Sequence, residues 1–102
     1  MASRLKLHTE LCYVARTNNV YFNPPEDFRM NYPAVRYSLS GVDLVRANNG
    51  VYRSTNQYSL TVIDEDPDST IFMDILAHFP MCSLGRPYVA DGLNHWPITL
   101  YY

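Results

Sequence analysis

Asn48-Asn49-Gly50 sits between two runs of β-formers, and it constrains the fold more than any other feature. Asn-Gly supplies the positive φ values of a type I′ turn, whose twist matches that of a tight hairpin. On the N-terminal side, Pro33 to Leu39 alternates: Ala34, Arg36 and Ser38 on one face, Val35, Tyr37 and Leu39 on the other. The second set is expected to face the core. Gly41 breaks the run, and Val42 to Arg46 either continues it past a bulge or forms a hairpin arm. On the C-terminal side, Tyr52 to Asp64 is the longest expected strand, with Tyr58, Leu60 and Val62 alternating with Ser59, Thr61 and Ile63. Residues 32–64 therefore read as one long antiparallel hairpin whose tip projects from the body.

The remaining pattern supplies what packs against it. Residues 3–16 read as an amphipathic helix, with Leu5, Leu7, His8, Leu11, Cys12, Val14 and Ala15 on one half of the wheel. Ser3 is the expected N-cap and Asn18-Asn19 the expected stop. Val20 to Phe22 is a short strand ended by Pro24-Pro25. Asp64-Glu65-Asp66-Pro67-Asp68-Ser69 is an acidic turn before a second helix, about 69–79, which Asp68 or Ser69 can cap. Its apolar stripe is Ile71, Phe72, Ile75, Leu76 and Phe79. Residues 81–90 give a strand interrupted or started at Gly85-Arg86-Pro87. Asp91-Gly92 turns the chain into a last strand, 95–102, where Pro97 argues for an edge or a bulge. The order is that of an α+β fold: a mostly antiparallel sheet with a long projecting β-hairpin and two helices packed on one face.

At 102 residues the chain is one domain, 1–102, able to bury roughly two-thirds of its unfolded surface. An apolar share of 47% excludes global disorder. No run approaches the roughly 20 apolar residues that span a membrane, so no membrane partner is expected. Two distant cysteines and no apolar leader read as an intracellular chain with reduced thiols. Charge is uneven. Residues 1–60 hold seven basic and four acidic side chains, whereas residues 61–102 hold Arg86 against six acids. Copies meeting basic side to acidic side is one reading, as a head-to-tail ring requires; charges scattered over a solvated surface is the other.

Candidate chemistry is thin. His8 with Cys12 and His78 with Cys82 share a metal-ligand spacing, but Pro80 interrupts the second pair and packing explains the first. The acidic cluster lacks the pattern of a calcium loop. His95, Asp91 and a serine form a triad only on paper, with no nucleophile elbow and no phosphate-binding glycine loop. No enzymatic activity, cofactor or metal is expected. Arg29, Arg36, Arg46 and Arg53 can touch nucleic acid or an acidic neighbour, and nothing points to sequence readout. Trp96 to Tyr102, with nine tyrosines in the whole chain, suits either a core strand or an interface.

Pro33 to Leu39, Tyr52 to Ser69 and Cys82 to Tyr102, in that order and spacing, resemble the tail-terminator (tail-completion) proteins of long-tailed, siphovirus-type bacteriophages. The likeness covers roughly half of the chain. It implies a virion protein at the tail–neck junction, assembled in the bacterial cytoplasm. It implies a ring, often of six copies, at the head-proximal end of the tail tube. The partners it implies are other copies, the tail tube protein and the head-completion or stopper protein, with DNA only passing through. A head-completion or stopper connector, or a small host-directed binding module, are the alternatives. The charge split, rather than the resemblance, points to the hairpin tip (Arg46, Asn48, Asn49, Arg53) as a neighbour contact, with Asp64, Glu65 and Asp66 as its counterpart.

Overall fold

The computed structural model describes residues 4–25, 29–47 and 50–102; for 43–47 and 50–55 the description is of the backbone. The elements run α1 (Arg4–Ala15), β1 (Val20–Phe22), β2 (Ala34–Ala47), β3 (Gly50–Asp64), α2 (Ile71–His78), β4 (Cys82–Leu84), β5 (Tyr88–Ala90) and β6 (Leu93–Tyr101). Six strands form one mixed, mostly antiparallel sheet in the order β1-β2-β3-β6-β4, with β5 also paired to β6. Only β1–β2 is parallel among the described pairs.

Register decides which face is apolar. Val35, Val62 and Trp96 fall in one row across β2, β3 and β6, Tyr37, Leu60 and Ile98 in the next, then Leu39, Tyr58 and Leu100. Alternation puts these rows on one face. Leu7, Leu11, Val14 and Ala15 of α1, with Ile75 of α2 and the following Phe79, join them in a single core. The interleaved positions Arg36, Ser38, Ser59, Thr61 and Thr99 point to the other face, which neither described helix covers.

Several local expectations are corrected. Leu39 is 48% exposed, because the bulge between Leu39 and Gly41 carries β2 off the core just there. Leu5 is 67% exposed at the margin of the α1 stripe. On the uncovered face, by contrast, Ala34 and Ile63 are buried. The stop of α1 is Arg16 rather than Asn18-Asn19: Arg16 takes φ 57, and the Thr17 N–H reaches the Cys12 carbonyl at 3.3 Å. That is a Schellman-type ending with arginine where glycine is usual. Thr70, not Asp68 or Ser69, is the N-cap of α2, and its side chain makes no capping bond.

Pro97 lies neither at an edge nor in a bulge, since β6 has β3 on one side and β4 and β5 on the other. Its carbonyl accepts the Gly85 N–H at 2.7 Å. The missing Pro97 donor therefore faces the same flank, opposite the break at Gly85-Arg86-Pro87. The edge strand is interrupted where β6 has nothing to donate. Asp91 and Gly92, at φ 54 and 74, make the tight turn between β5 and β6.

Leu60 is 1% exposed in the middle row. Leu60→Ala is expected to lower unfolding free energy by about 2–5 kcal/mol in urea denaturation. Ser59→Ala, one residue away on the uncovered face, is expected to change it by no more than about 0.5 kcal/mol.

Candidate assembly surface

The β2–β3 ribbon continues past the body. The last rung shared with β6 is Gln57 with Tyr101, extended by the Tyr102 N–H to Asn56 carbonyl bond at 2.9 Å. Beyond Asn56, among the described residues, only β2 and β3 pair, through to Ala47 with Gly50. Arg46 and Arg53 lie on this stretch, in adjacent rungs offset by the irregularity between Val45 and Arg46. Asn48 and Asn49 lie outside the described residues. The ribbon contributes to a longest dimension of 51 Å.

Asp64 closes β3 at its other end, so the turn expected to complement the tip stands about 46 Å from it along one strand, at roughly 3.3 Å per residue. Any pairing of the two is therefore between molecules. Within the turn the carboxylates already serve the backbone. Asp64 accepts the Asp66 N–H at 3.1 Å, and Asp66 accepts the Asp68 N–H at 2.9 Å. The Asn94 side chain ties the turn to β6 through the Asp64 and Glu65 carbonyls. Glu65, Asp66 and Asp68 remain exposed.

At the sheet margin β4 and β5 expose apolar side chains: Met81, Leu84, Tyr88 and Val89, the last 69% accessible. Tyr88 stacks flat on His95 at 4.7 Å between ring centroids. The uncovered face holds a polar recess of about 260 Å³ where β1, β2 and β3 meet. Sequence reading missed the recess, because it depends on β1 lying parallel beside β2, a pairing no local pattern encodes.

The metal and triad candidates are engaged elsewhere. Arg4 Nη1 donates to the Tyr37 hydroxyl at 3.4 Å, leaving that proton for His8 Nδ1 at 2.7 Å. His78 Nε2 lies 3.6 Å from Glu10. The Cys82 thiol reaches the Phe79 carbonyl at 3.2 Å. Cys12 and Cys82 are both free and pack against the core, which pushes their pKa values up. His95 Nδ1 faces its neighbour's carbonyl on Leu93 at 3.0 Å, and Asp91 sits in the turn. Among the described residues no three His, Cys, Asp or Glu side chains gather as a metal site. No described helix is long and apolar enough to cross a membrane.

Burial, then the nearby Arg4 charge, lowers the His8 pKa from its ordinary 6.5. A depressed pKa favours the neutral ring in the fold. Its contribution is full above 6.5 and erodes as pH falls towards the folded value. The wild-type urea midpoint is expected to fall between about pH 7 and 5, and to fall less in His8→Gln. Equal slopes in the two proteins would show that His8 does not carry the dependence.

No protein-family profile matches this chain, and no curated protein sequence matches it.

Proposed function

We propose that this chain is a non-enzymatic structural protein of a long-tailed phage particle, the tail terminator. On this reading copies close into a ring, six in number, at the head-proximal end of the tail tube. The ring ends tube growth and offers the head-completion protein a docking surface. Termination is then geometric: one face binds the last tube ring, and the other does not template another.

The observation that carries this reading is the β2–β3 ribbon beyond Asn56, paired to no third strand among the described residues. A two-stranded ribbon is marginal in water by itself. One that extends from a folded body gains most by packing on a neighbour. The segments that carry the resemblance, Pro33 to Leu39, Tyr52 to Ser69 and Cys82 to Tyr102, fall largely in β2, β3 and the β4–β5–β6 unit.

The test is negative-stain microscopy of particles made without this gene. Tails of irregular, excessive length beside tailless filled heads are expected. Tails of normal length that fail to join heads would instead indicate a head-side connector. Normal infectious particles would remove both and leave a host-directed binding module. Within the terminator reading, Arg46→Glu with Arg53→Glu is expected to abolish tail completion while the purified protein keeps its thermal midpoint. Intact assembly in that double variant would remove the tip from the interface.

A further inference from the structure

We infer that the Asp91 carboxylate of one copy docks in the Arg36 recess of the next, an inference that rests on the ring reading above. The recess is lined by Asn23, Pro24, Arg36, Ser38, Ser59 and Thr61, together with Tyr37. Arg36 lies directly opposite Thr61, and Ser38 opposite Ser59. One guanidinium, three hydroxyls and an amide meet there, and among the described residues none that lines it is acidic. That donor set suits one monoanionic oxygen ligand: a guanidinium fork takes a carboxylate in two parallel bonds, and hydroxyls supply the remainder. Arg36 is exposed and makes no ion pair among the described residues.

A polyanion fits poorly. Thr61 is three residues from Asp64, about 10 Å along β3, so the acidic turn stands close to the recess. Repulsion from Asp64, Glu65 and Asp66 acts against an incoming chain of phosphates more than against a single carboxylate. Nor is that turn a good donor. Asp64 and Asp66 are held by its own amides, and the turn lies on the strand that builds the recess.

Asp91 meets the requirements. It is exposed, has no ion-pair partner among the described residues, and is held at φ 54 by the tight β5–β6 turn. The strand order places β5 on the flank of β6 away from β3, whereas the recess lies at β1, β2 and β3. Donor and acceptor thus occupy opposite sides of one sheet, the arrangement a heterologous, ring-closing contact needs. Val89 and Tyr88 beside Asp91 are 69% and 50% exposed, and their burial against a neighbour would strengthen the contact. Strand addition at the body beside the recess is a poor competitor, because β1 is three residues long and the opposite edge is broken at Gly85-Arg86-Pro87.

The test is sedimentation of the purified chain in low salt, with Arg36→Glu, Asp91→Arg and Asp91→Asn. The asparagine variant removes the charge while keeping a residue that tolerates positive φ. Each is expected to weaken self-association at least tenfold with an unchanged thermal midpoint. Mixing Arg36→Glu with Asp91→Arg is expected to restore association, since alternating copies regain an oppositely charged pair at every contact. Single variants that associate like the wild type would overturn this pairing and leave the ring intact. Folded single variants that fail alike when mixed would overturn it too. A wild-type chain that stays monomeric up to millimolar concentration would overturn the contact, while the ring at the tail end is judged separately by the tail phenotype.

Discussion

The shared register of β2, β3 and β6 is the constraint on which the rest of the molecule depends. It aligns Val35–Val62–Trp96 and Tyr37–Leu60–Ile98 as continuous rows and so creates one apolar surface from three strands. A slip of one residue in any of them would turn its row to the uncovered face. Leu7, Leu11 and Ile75, all fully buried, close on that surface. Neither helix has another reason to persist: α2 spans only eight residues, well short of what is stable in isolation. The sheet thus specifies the helices, and the long hairpin specifies the sheet.

Polar tips finish what the rows begin. Tyr37 lies 2% exposed, yet its hydroxyl is met by Arg4 and His8, so the first turns of α1 are fixed to the centre of β2. Arg4 also caps the Phe22 ring at 4.4 Å, which draws β1 into the same cluster. At the other end of α1, the Tyr102 hydroxyl donates to Glu10, which in turn faces His78 of α2. Burial and the Glu10 bond push the Tyr102 pKa up to about 12, so the hydroxyl remains a donor throughout the neutral range. Among the described residues no buried side-chain nitrogen or oxygen is left without a partner. Several of the nine tyrosines are therefore explained by internal satisfaction, without any appeal to an interface.

The sequence made the hairpin, both helical stripes and the Asp91-Gly92 turn legible because each is a local pattern with a local cause. What it hid was non-local. Leu39 continues the alternation of Val35 and Tyr37, and only the bulge after it decides that it lies outside the core. Pro97 argues against an interior strand until the break in its neighbour is known. Asp68 and Ser69 have the chemistry of caps, but both belong to the turn before the helix, where their N–H groups bond Asp66, and Thr70 takes the cap position. For the candidate surface, the acidic turn was legible as a cluster, although not the fact that its carboxylates are partly consumed by the backbone. The Arg36 recess was invisible, since Asn23 follows β1 while Arg36 and Thr61 come from β2 and β3.

Those hidden features bear on how such a chain can assemble. Sheets commonly join by adding strand to strand, and the edges of the body discourage it, whereas β2 beyond Tyr37 and β3 up to Thr55 have no outer partner among the described pairs. β1 has three residues, and the opposite edge is split into two three-residue pieces around Gly85-Arg86-Pro87. A proline and a charge at an edge are standard defences against unlimited sheet growth. On the proposed reading the protein stops a polymer, and an open edge on its body would template the next copy without end. On that reading contacts between copies fall to side chains and to the ribbon beyond Asn56, and limiting strand addition at the body favours a closed set of copies over a filament.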